Sequence, residues 1–349
     1  MKSADHHSPA GSSARHLFTA LKSADRRGRA LAWLRPPPRL QPFAPGFSII
    51  IPERASHEIL YDSLDAAVTA ASMTTEPWEV IVVVNGSPSG PYTALQAAHP
   101  QVQWRFFDQA LWYLGAVREG LALARYDWVY LLNNDMVLQK NALEPLLQLR
   151  RGREKVFSVA SQVFFSDASR RREETGWTSY KFGPSGISIA DDIPPLGDAI
   201  RGTLYSGGGA ALFRKDLLMK LMSSSDVYAP FYWEDVEWGW RAWLLGFASW
   251  FCPASLAFHA HRQTNRKLFS EPEIDRIMQR NARIFELRNG PRLRTFADLE
   301  RILGSLDAAS REELLEPERV GLLARGRFEA AVISAKYREP GPVWQLTRS

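Results

Sequence analysis

A chain of 349 residues, 45% hydrophobic and 23% charged, has the composition of a globular protein and is long enough to bury a substantial core. Its net charge of +5 is too small to indicate a nucleic-acid-binding protein. The single cysteine, Cys252, excludes an internal disulfide framework and a cysteine-rich zinc site, and it suits a reducing compartment.

Residues 1–45 form a basic segment that we expect to be partly disordered, above all in residues 1–14. The segment carries eight lysine and arginine residues against two aspartates. Residues 15–34 predict a basic helix with an apolar face, and the proline-rich residues 35–46 would end it. Such a helix either lies on an anionic membrane or packs on the adjoining domain. No apolar run is long enough to span a bilayer and no signal peptide is evident, so we expect a cytoplasmic protein, with peripheral contact at the inner face of the membrane left open.

Short β-branched runs alternate with helix-length segments over the next part of the chain. The predicted strands are residues 47–51, 79–84, 101–107, 127–132 and 156–165. The predicted helices between them are residues 58–73, 92–98, 113–125 and 142–150. Apolar strands without polar alternation, separated by helices, predict an α/β protein with a Rossmann-like, mostly parallel central sheet flanked by helices.

The second half of the chain is predicted to be more irregular. Residues 166–203 are loop-rich, and a helix is expected over 234–245. Two further strands are expected over 247–252 and 255–261. Beyond Arg262 the chain is charged and helical to about residue 335. We therefore divide it into an N-terminal segment (1–45), a central domain (46–265) and a helical C-terminal extension (266–349).

Polar side chains follow the predicted strands at the edge where parallel sheets bind ligands. Asn133, Asn134 and Asp135 come directly after a buried strand, and a carboxylate there can bind a hard divalent cation. Alternation along a strand places His259 and His261 on one face. A histidine together with an aspartate suits Mn²⁺ better than Ca²⁺.

Three acidic residues lie among aromatic residues in FYWEDVEWGW, at the start of the helix predicted over 234–245. Glu237 stands four residues before Arg241, which favours a structural ion pair. Glu234 and Asp235 point in different directions on a helix and have no obvious local partner. One of them is therefore available as a general base.

Taken in chain order, these motifs resemble the family 2 glycosyltransferases from about residue 47 to residue 262. SIIIP resembles the first strand, EVIVVVNGS the nucleotide-contacting loop, and VYLLNNDM the metal-binding DxD-type motif. SGGGAALFRKDLL resembles the segment before the catalytic motif, FYWEDVEWGW the motif that supplies the base, and AFHAH the late metal-binding histidine. The resemblance implies the GT-A fold and a hexosyltransferase-type activity.

The resemblance also implies the ligands. A nucleotide-sugar would be the donor, Mn²⁺ or Mg²⁺ the cofactor, and a glycan or lipid-linked molecule the acceptor, with inversion at the sugar. Acceptors of the lipid-linked kind occur in the biosynthesis of bacterial cell-envelope polysaccharides. No nucleic-acid partner is implied.

The resemblance assigns roles to individual residues. Asp235 would be the base, with Glu234 as its acidic neighbour. The metal would be held by Asp135 and His259 near Asn133, with His261 as the alternative histidine. The nucleotide or donor contacts would be Pro52, Asn85, Gly86, Ser87, Asn134 and Arg262. The acceptor or sugar contacts would be Gly207, Gly208, Gly209, Trp233 and Trp238.

The sequence departs from the family pattern at the nucleotide end. Val84 stands where an acid usually precedes Asn-Gly-Ser and contacts the nucleoside base, and PERASHE replaces the usual residues after the first strand. Two other functions therefore stay open. A nucleotidyltransferase would normally need a glycine-rich phosphate loop after that strand, which PERASHE lacks. A non-catalytic carbohydrate-binding or scaffold protein would need no base.

Overall fold

The structure is a computed structural model, and it describes residues 9–34, 43–166, 176–183, 186–191, 199–259, 268–290 and 293–336. Two residues with predicted roles, His261 and Arg262, lie outside the described residues. The first helix begins at Pro9, so the disorder expected over residues 1–14 does not extend to residues 9–14.

The elements follow the predicted alternation of strands and helices. Helices α1 to α11 are, in chain order, Pro9–Leu31, His57–Ser72, Thr93–Ala98, Trp112–Leu123, Leu143–Arg151, Lys215–Leu221, Glu234–Leu244, Glu271–Asn289, Phe296–Gly304, Ala308–Leu315 and Pro317–Lys336. Strands β1 to β11 are Ala44–Glu53, Trp78–Asn85, Gln103–Phe107, Tyr126–Leu132, Met136–Leu138, Val156–Phe165, Thr178–Gly183, Gly186–Asp191, Arg201–Gly202, Ala210–Arg214 and Ala248–His259.

The large sheet has the order β3-β2-β1-β4-β10-β6-β11-β5, with β9 beside β11. Strands β1 to β4 are parallel to one another, and β6 is parallel to β11. Strand β10 lies antiparallel between β4 and β6. The predicted α/β fold with a mostly parallel sheet is confirmed.

The apolar runs are explained by helices on both faces of the sheet. Ile49 and Ile51 of β1 pack in a cluster with Leu60 of α2. Ile50 points to the other face and packs in a cluster with Val117 of α4. Because successive side chains of a strand alternate between faces, a strand covered on both sides must be apolar at every position.

Two expectations about the second half of the chain are wrong. Strands β7 and β8 form an antiparallel hairpin inside the stretch expected to be loop-rich. The two strands expected over 247–252 and 255–261 are one strand, β11, whose register with β6 shifts between Cys252 and Leu256. Pro253 lies in that interval, and a proline cannot donate a ladder hydrogen bond, so an irregularity is expected there.

Helix α1 packs against α11, the last of the described helices. Leu17 and Leu21 of α1 are fully buried. The helices approach closely at Gly28, where an added Cβ would lie 2.5 Å from the carbonyl oxygen of Phe328 and 2.7 Å from Cβ of Ala331. The apolar face of α1 is therefore covered by the protein itself. None of the described helices is long and apolar enough to cross a membrane.

Candidate active site

A cavity of about 500 Å³ opens at the carboxyl ends of the central strands. It brings together most of the residues predicted to form the site, although they come from distant parts of the chain. The predicted residues that line it are Pro52, Asn85, Asn133, Asn134, Asp135, Gly207, Gly208, Gly209, Trp233, Glu234, Asp235 and His259. Gly86 and Ser87 lie outside this lining, and Ser87 instead accepts a hydrogen bond from the backbone N–H of Ala55 at 2.8 Å.

Asp135 and His259 form a pair of metal-ligand type at the base of the cavity. His259, the last residue of β11, lies opposite Met136 of β5. This register places it beside Asp135, the residue before Met136. Its Nε2 atom lies 3.4 Å from Oδ2 of Asp135, and both side chains are buried. Among the described residues, no group of three or more metal-binding side chains occurs.

This donor set fits a divalent cation that is completed by substrate. A carboxylate oxygen and an imidazole nitrogen suit Mn²⁺. Cations in phosphate-transfer sites are commonly held by one or two protein ligands, with phosphate oxygens and water supplying the rest. Two adjacent ligands that face a cavity are therefore compatible with such a site.

Glu53 is a buried residue of the site that the sequence analysis missed. Its carboxylate accepts hydrogen bonds from the backbone N–H of Ser56 (2.7 Å), from the hydroxyl of Tyr92 (2.9 Å) and from the side-chain amide of Asn134. Burial raises the pKa of Glu53, and these hydrogen bonds oppose the rise. The carboxylate thereby ties the end of β1 to the loop that carries Asp135. The sequence does contain a signal for this residue, because Glu53 is an ionisable residue at the end of an apolar strand.

Glu53 also stands beside the position where the family's acid is missing. In the parallel register of β1 and β2, Glu53 is opposite Val84. Its backbone carbonyl accepts a hydrogen bond from the side-chain amide of Asn85 at 2.9 Å. A buried acid is therefore present at this end of the cavity, supplied by the neighbouring strand.

The glycine loop, residues 207–209, makes room for two side chains of the site. A Cβ at Gly208 would lie 2.2 Å from the hydroxyl oxygen of Tyr113, and a Cβ at Gly209 would lie 2.8 Å from Nδ2 of Asn133. The hydroxyl of Tyr113 donates to the carbonyl of Gly208 at 2.7 Å, and the backbone N–H of Asn133 donates to the carbonyl of Gly209 at 2.8 Å. Glycine is required here because the protein's own side chains approach the backbone closely.

Glu234 and Asp235 begin α7 and line the cavity, and their carboxyls have few hydrogen-bond partners. Oδ2 of Asp235 accepts a hydrogen bond from the backbone N–H of Gly208 at 3.3 Å, and Oδ1 accepts one from Val236 at 2.8 Å. Among the described residues, Oε2 of Glu234 is buried and has no hydrogen-bond partner. Burial raises the pKa of both carboxyls, and the charge of Asp235 raises the pKa of Glu234 further.

A carboxyl pair of this kind favours a state that holds one proton. Two adjacent buried carboxylates repel each other, so one ionises well before the other. Hydrogen bonds from Gly208 and Val236 stabilise the charged form of Asp235 and partly offset its burial. Asp235 is therefore the member of the pair whose charged form receives more hydrogen bonds from the protein.

Glu237 is structural, as predicted from the spacing to Arg241. Its carboxylate lies 3.1 Å from the guanidinium of Arg241 and accepts two hydrogen bonds of 2.8 Å from Arg288 of α8. Asn289 donates to it as well, at 2.6 Å. Burial alone would raise the pKa of Glu237, but the two cations outweigh it and lower the pKa to about 2.

The acceptor contact expected at Trp238 is wrong. Trp238 is fully buried, its ring meets Phe213 edge-on at 6.2 Å between centroids, and its indole N–H donates to Ser225 at 3.0 Å. It faces the sheet because α7 must bury an apolar stripe there, and a tryptophan on that stripe cannot also line the cavity. Trp233 does line the cavity, with its ring 5.5 Å from that of Phe285.

Residues 48–221 match the family model described as "Glycosyl transferase family 2". Through this segment the chain belongs to glycosyl transferase family 2. The matching segment contains Asp135 and the glycine loop, but it ends before Glu234, Asp235 and His259. The structure, rather than the family match, therefore places those three residues in the same cavity.

The fold of this member of family 2 is GT-A. A crystal structure of GalNAc-T7 with UDP, GalNAc and Mn²⁺ superposes with a TM-score of 0.53 at 11% identity, covering 75% of this chain and 54% of that one. The chain thus spans about half the length of GalNAc-T7. A mannosyltransferase, PcManGT from Pyrobaculum calidifontis, in complex with GDP-Man and Mn²⁺, gives a TM-score of 0.44 at 16% identity, covering 93% of this chain and 98% of that one. Comparison with curated protein sequences gave no match.

Proposed function

We propose that this protein is an inverting, metal-dependent glycosyltransferase of the hexosyltransferase type. It would move a sugar from a nucleotide-sugar donor to a hydroxyl of a glycan or lipid-linked acceptor. The observation that carries the proposal is the cavity itself, which holds the Asp135–His259 pair and the Glu234–Asp235 carboxyls together. The glycine loop joins the two, because Gly209 contacts Asn133 and Gly208 contacts Asp235.

In the proposed reaction Asp235 is the general base. It takes the proton of the acceptor hydroxyl as that oxygen bonds to the anomeric carbon, and the bond from that carbon to the diphosphate oxygen breaks on the opposite face. A positioned base of this kind accelerates a reaction by about 10²–10⁴-fold. Glu234 would stay protonated and donate a hydrogen bond into the cavity, because its buried Oε2 has no other described partner.

The part of the cavity that is lined by Asp135 and His259 would hold the donor diphosphate. A divalent cation, Mn²⁺ or Mg²⁺, bound by Asp135 and His259 would stabilise the charge on the departing diphosphate. The chain holds these ligands in place through Glu53, which binds Asn134, and through Gly209, which binds the backbone of Asn133. Pro52 and Asn85 would line the nucleotide part, together with Arg54.

We expect nucleotides to stabilise the protein only when a divalent cation is present. Thermal unfolding would be measured with UDP, GDP, dTDP and CDP sugars, each with and without Mn²⁺. At least one of them should raise the unfolding temperature with Mn²⁺, and Asp135→Ala should remove the effect because it removes a ligand. Asp65→Ala, at an exposed position of α2, is the matched control.

The outcomes of this experiment separate the candidate functions. No metal-dependent stabilisation by any nucleotide would overturn the transferase proposal. Metal-dependent binding without sugar transfer or donor hydrolysis would favour the non-catalytic carbohydrate-binding alternative. Release of pyrophosphate from a nucleoside triphosphate and a sugar phosphate would identify a nucleotidyltransferase.

We also propose that the turn directly after α1, residues 32–34, makes peripheral contact with an anionic membrane. This contact would bring the protein to a lipid-linked acceptor of cell-envelope polysaccharide synthesis. Trp33 and Leu34 are 73% and 77% exposed. Arg26 and Arg27, both exposed, precede them on α1. Exposed apolar residues beside basic ones are typical of segments that bind anionic bilayers.

The double substitution Trp33→Ser, Leu34→Ser should reduce co-sedimentation with phosphatidylglycerol-containing vesicles by about tenfold, since each apolar side chain contributes to insertion. Met73→Ser, at an exposed apolar position elsewhere, should leave binding unchanged. Vesicles of phosphatidylcholine alone should bind the wild-type chain weakly. Equal binding by wild type and the double variant would remove this proposal.

A further inference from the structure

We propose that Asn281, on helix α8, is a positioning residue for the base. The inference rests on the proposed function and adds a part of the chain that lies outside the family 2 match. It assigns the C-terminal helical extension a direct part in building the catalytic end of the cavity. The backbone of the segment that precedes α7 and the contacts that hold it support this role.

The segment before the base has an unfavourable backbone. Tyr232 and Trp233 both adopt the left-handed conformation, with φ of 75° and 77°. Large side chains rarely occupy this region, and two in succession persist only when surrounding contacts impose them. Trp233 is the residue before the first turn of α7, so this conformation sets the direction in which Glu234 and Asp235 leave the backbone.

One buried side chain meets the carbonyls of this segment. The amide nitrogen of Asn281 donates to the carbonyls of Tyr228 (2.8 Å), Phe231 (2.9 Å) and Tyr232 (2.9 Å). Asn281 is fully buried, and its own oxygen accepts a hydrogen bond from Arg280 at 3.1 Å, which fixes the orientation of the amide. Its two N–H groups therefore point at the segment. Because they bind three carbonyls, one N–H is shared between two of them.

The neighbouring residue strengthens this contact. The guanidinium of Arg280 donates to the carbonyl of Ala229 and to both carboxylate oxygens of Glu313 on α10, at 2.9 Å each. Two consecutive residues of α8 thus bind carbonyls across residues 228–232. These hydrogen bonds hold the segment that leads directly into Glu234 and Asp235.

Helix α8 also holds α7 about one turn after its start, where Arg288 binds Glu237. The two contacts differ in what they fix. The Arg288 contact lies in the core behind the helix and anchors its body, whereas the Asn281 contact sets the strained segment that leads into Glu234 and Asp235. Loss of the Asn281 contact should therefore disturb the geometry of the base more than it disturbs the fold.

Asn281→Asp is the variant that tests this proposal. It keeps the shape of the side chain but replaces both N–H donors with an oxygen that faces three carbonyls. We expect kcat to fall by about 100-fold, since a displacement of about 1 Å at a catalytic group can cost that much. KM for the donor should be unchanged, because the Asp135–His259 end is not touched. Amide hydrogen exchange in residues 229–236 should become faster.

The control is a variant on the same helix that costs stability without removing a hydrogen bond to the segment. Ile284→Ala creates a cavity in the helical core at a fully buried position. It should lower the unfolding temperature at least as much as Asn281→Asp while leaving kcat and the exchange of residues 229–236 near wild type. If Asn281→Asp does not fold, Asn281→Ala, which removes the donors without adding charge, takes its place in the same measurements.

The two readouts distinguish failure of this inference from failure of the proposed function. Unchanged exchange in residues 229–236 of the Asn281 variant would overturn the positioning role, whatever the activity. So would a loss of kcat no larger than that of Ile284→Ala. If the wild-type chain shows no transfer or donor hydrolysis, the proposed function fails, while the exchange measurement still decides whether Asn281 holds the segment.

Discussion

Asp235→Asn should lower kcat by about 10²–10⁴-fold, the range lost with a general base. Donor affinity should change little, because the substitution removes a group that acts in the transition state rather than in binding the donor. The measurement is sugar transfer or donor hydrolysis at saturating substrate, with donor binding followed by thermal shift. Asp65→Asn, on the exposed face of α2, is the matched control and should be fully active.

The pH dependence of the wild-type protein should report the same group. Burial raises the pKa of Asp235 to about 6, with opposing hydrogen bonds from Gly208 and Val236. A base must be deprotonated to act, so activity should rise with pH through this region and fall as pH is lowered. Full turnover by Asp235→Asn, or a normal acidic limb in that variant, would show that another group is the base.

Arg288→Met should lower the free energy of unfolding by about 3–5 kcal/mol, the usual cost of leaving one member of a buried ion pair behind. Arg288 and Glu237 are both fully buried and meet through two hydrogen bonds of 2.8 Å. Removal of the guanidinium leaves the Glu237 carboxylate with Arg241 as its remaining cation. Urea unfolding at neutral pH measures the loss.

An exposed ion pair provides the control for this prediction. Arg29→Ala removes the surface pair with Asp25, and it should cost less than about 1 kcal/mol. The Arg288 effect should also depend on pH in a defined direction. The pKa of Glu237 is lowered from 4.5 to about 2 in the folded protein, so the stabilisation is present above about pH 4.5 and is lost as pH falls toward 2. A loss that did not shrink in acid would contradict the assignment.

The sequence predicts the parts of the site that local patterns control. Apolar runs define the central strands, and strand ends define where polar residues such as Asp135 reach the cavity. The ion pair between Glu237 and Arg241 can be predicted from helical spacing. The other cationic partner of Glu237, Arg288, lies 51 residues away in the chain and therefore leaves no local trace. Asn281 was invisible for the same reason.

The errors have a common physical origin in tertiary packing. Trp238 is on the same helix as the proposed base, and only the position of the sheet decides that it is buried rather than exposed to the cavity. The hairpin of β7 and β8 was missed because its polar and glycine-containing sequence resembles a loop, and pairing rather than composition makes it a hairpin. Glu53 was overlooked because its role depends on Asn134, which follows a different strand.

The packing of α1 on α11 has a consequence for the order of synthesis. Helix α1 is synthesised well before α11, which covers it from roughly 290 residues further along the chain, and the contact at Gly28 leaves no space for a substitute side chain. During translation Leu17 and Leu21 therefore have no native partner on α11 until residues 317–336 have been made. A nascent chain that still lacks α11 exposes apolar surface of α1 that the folded protein buries.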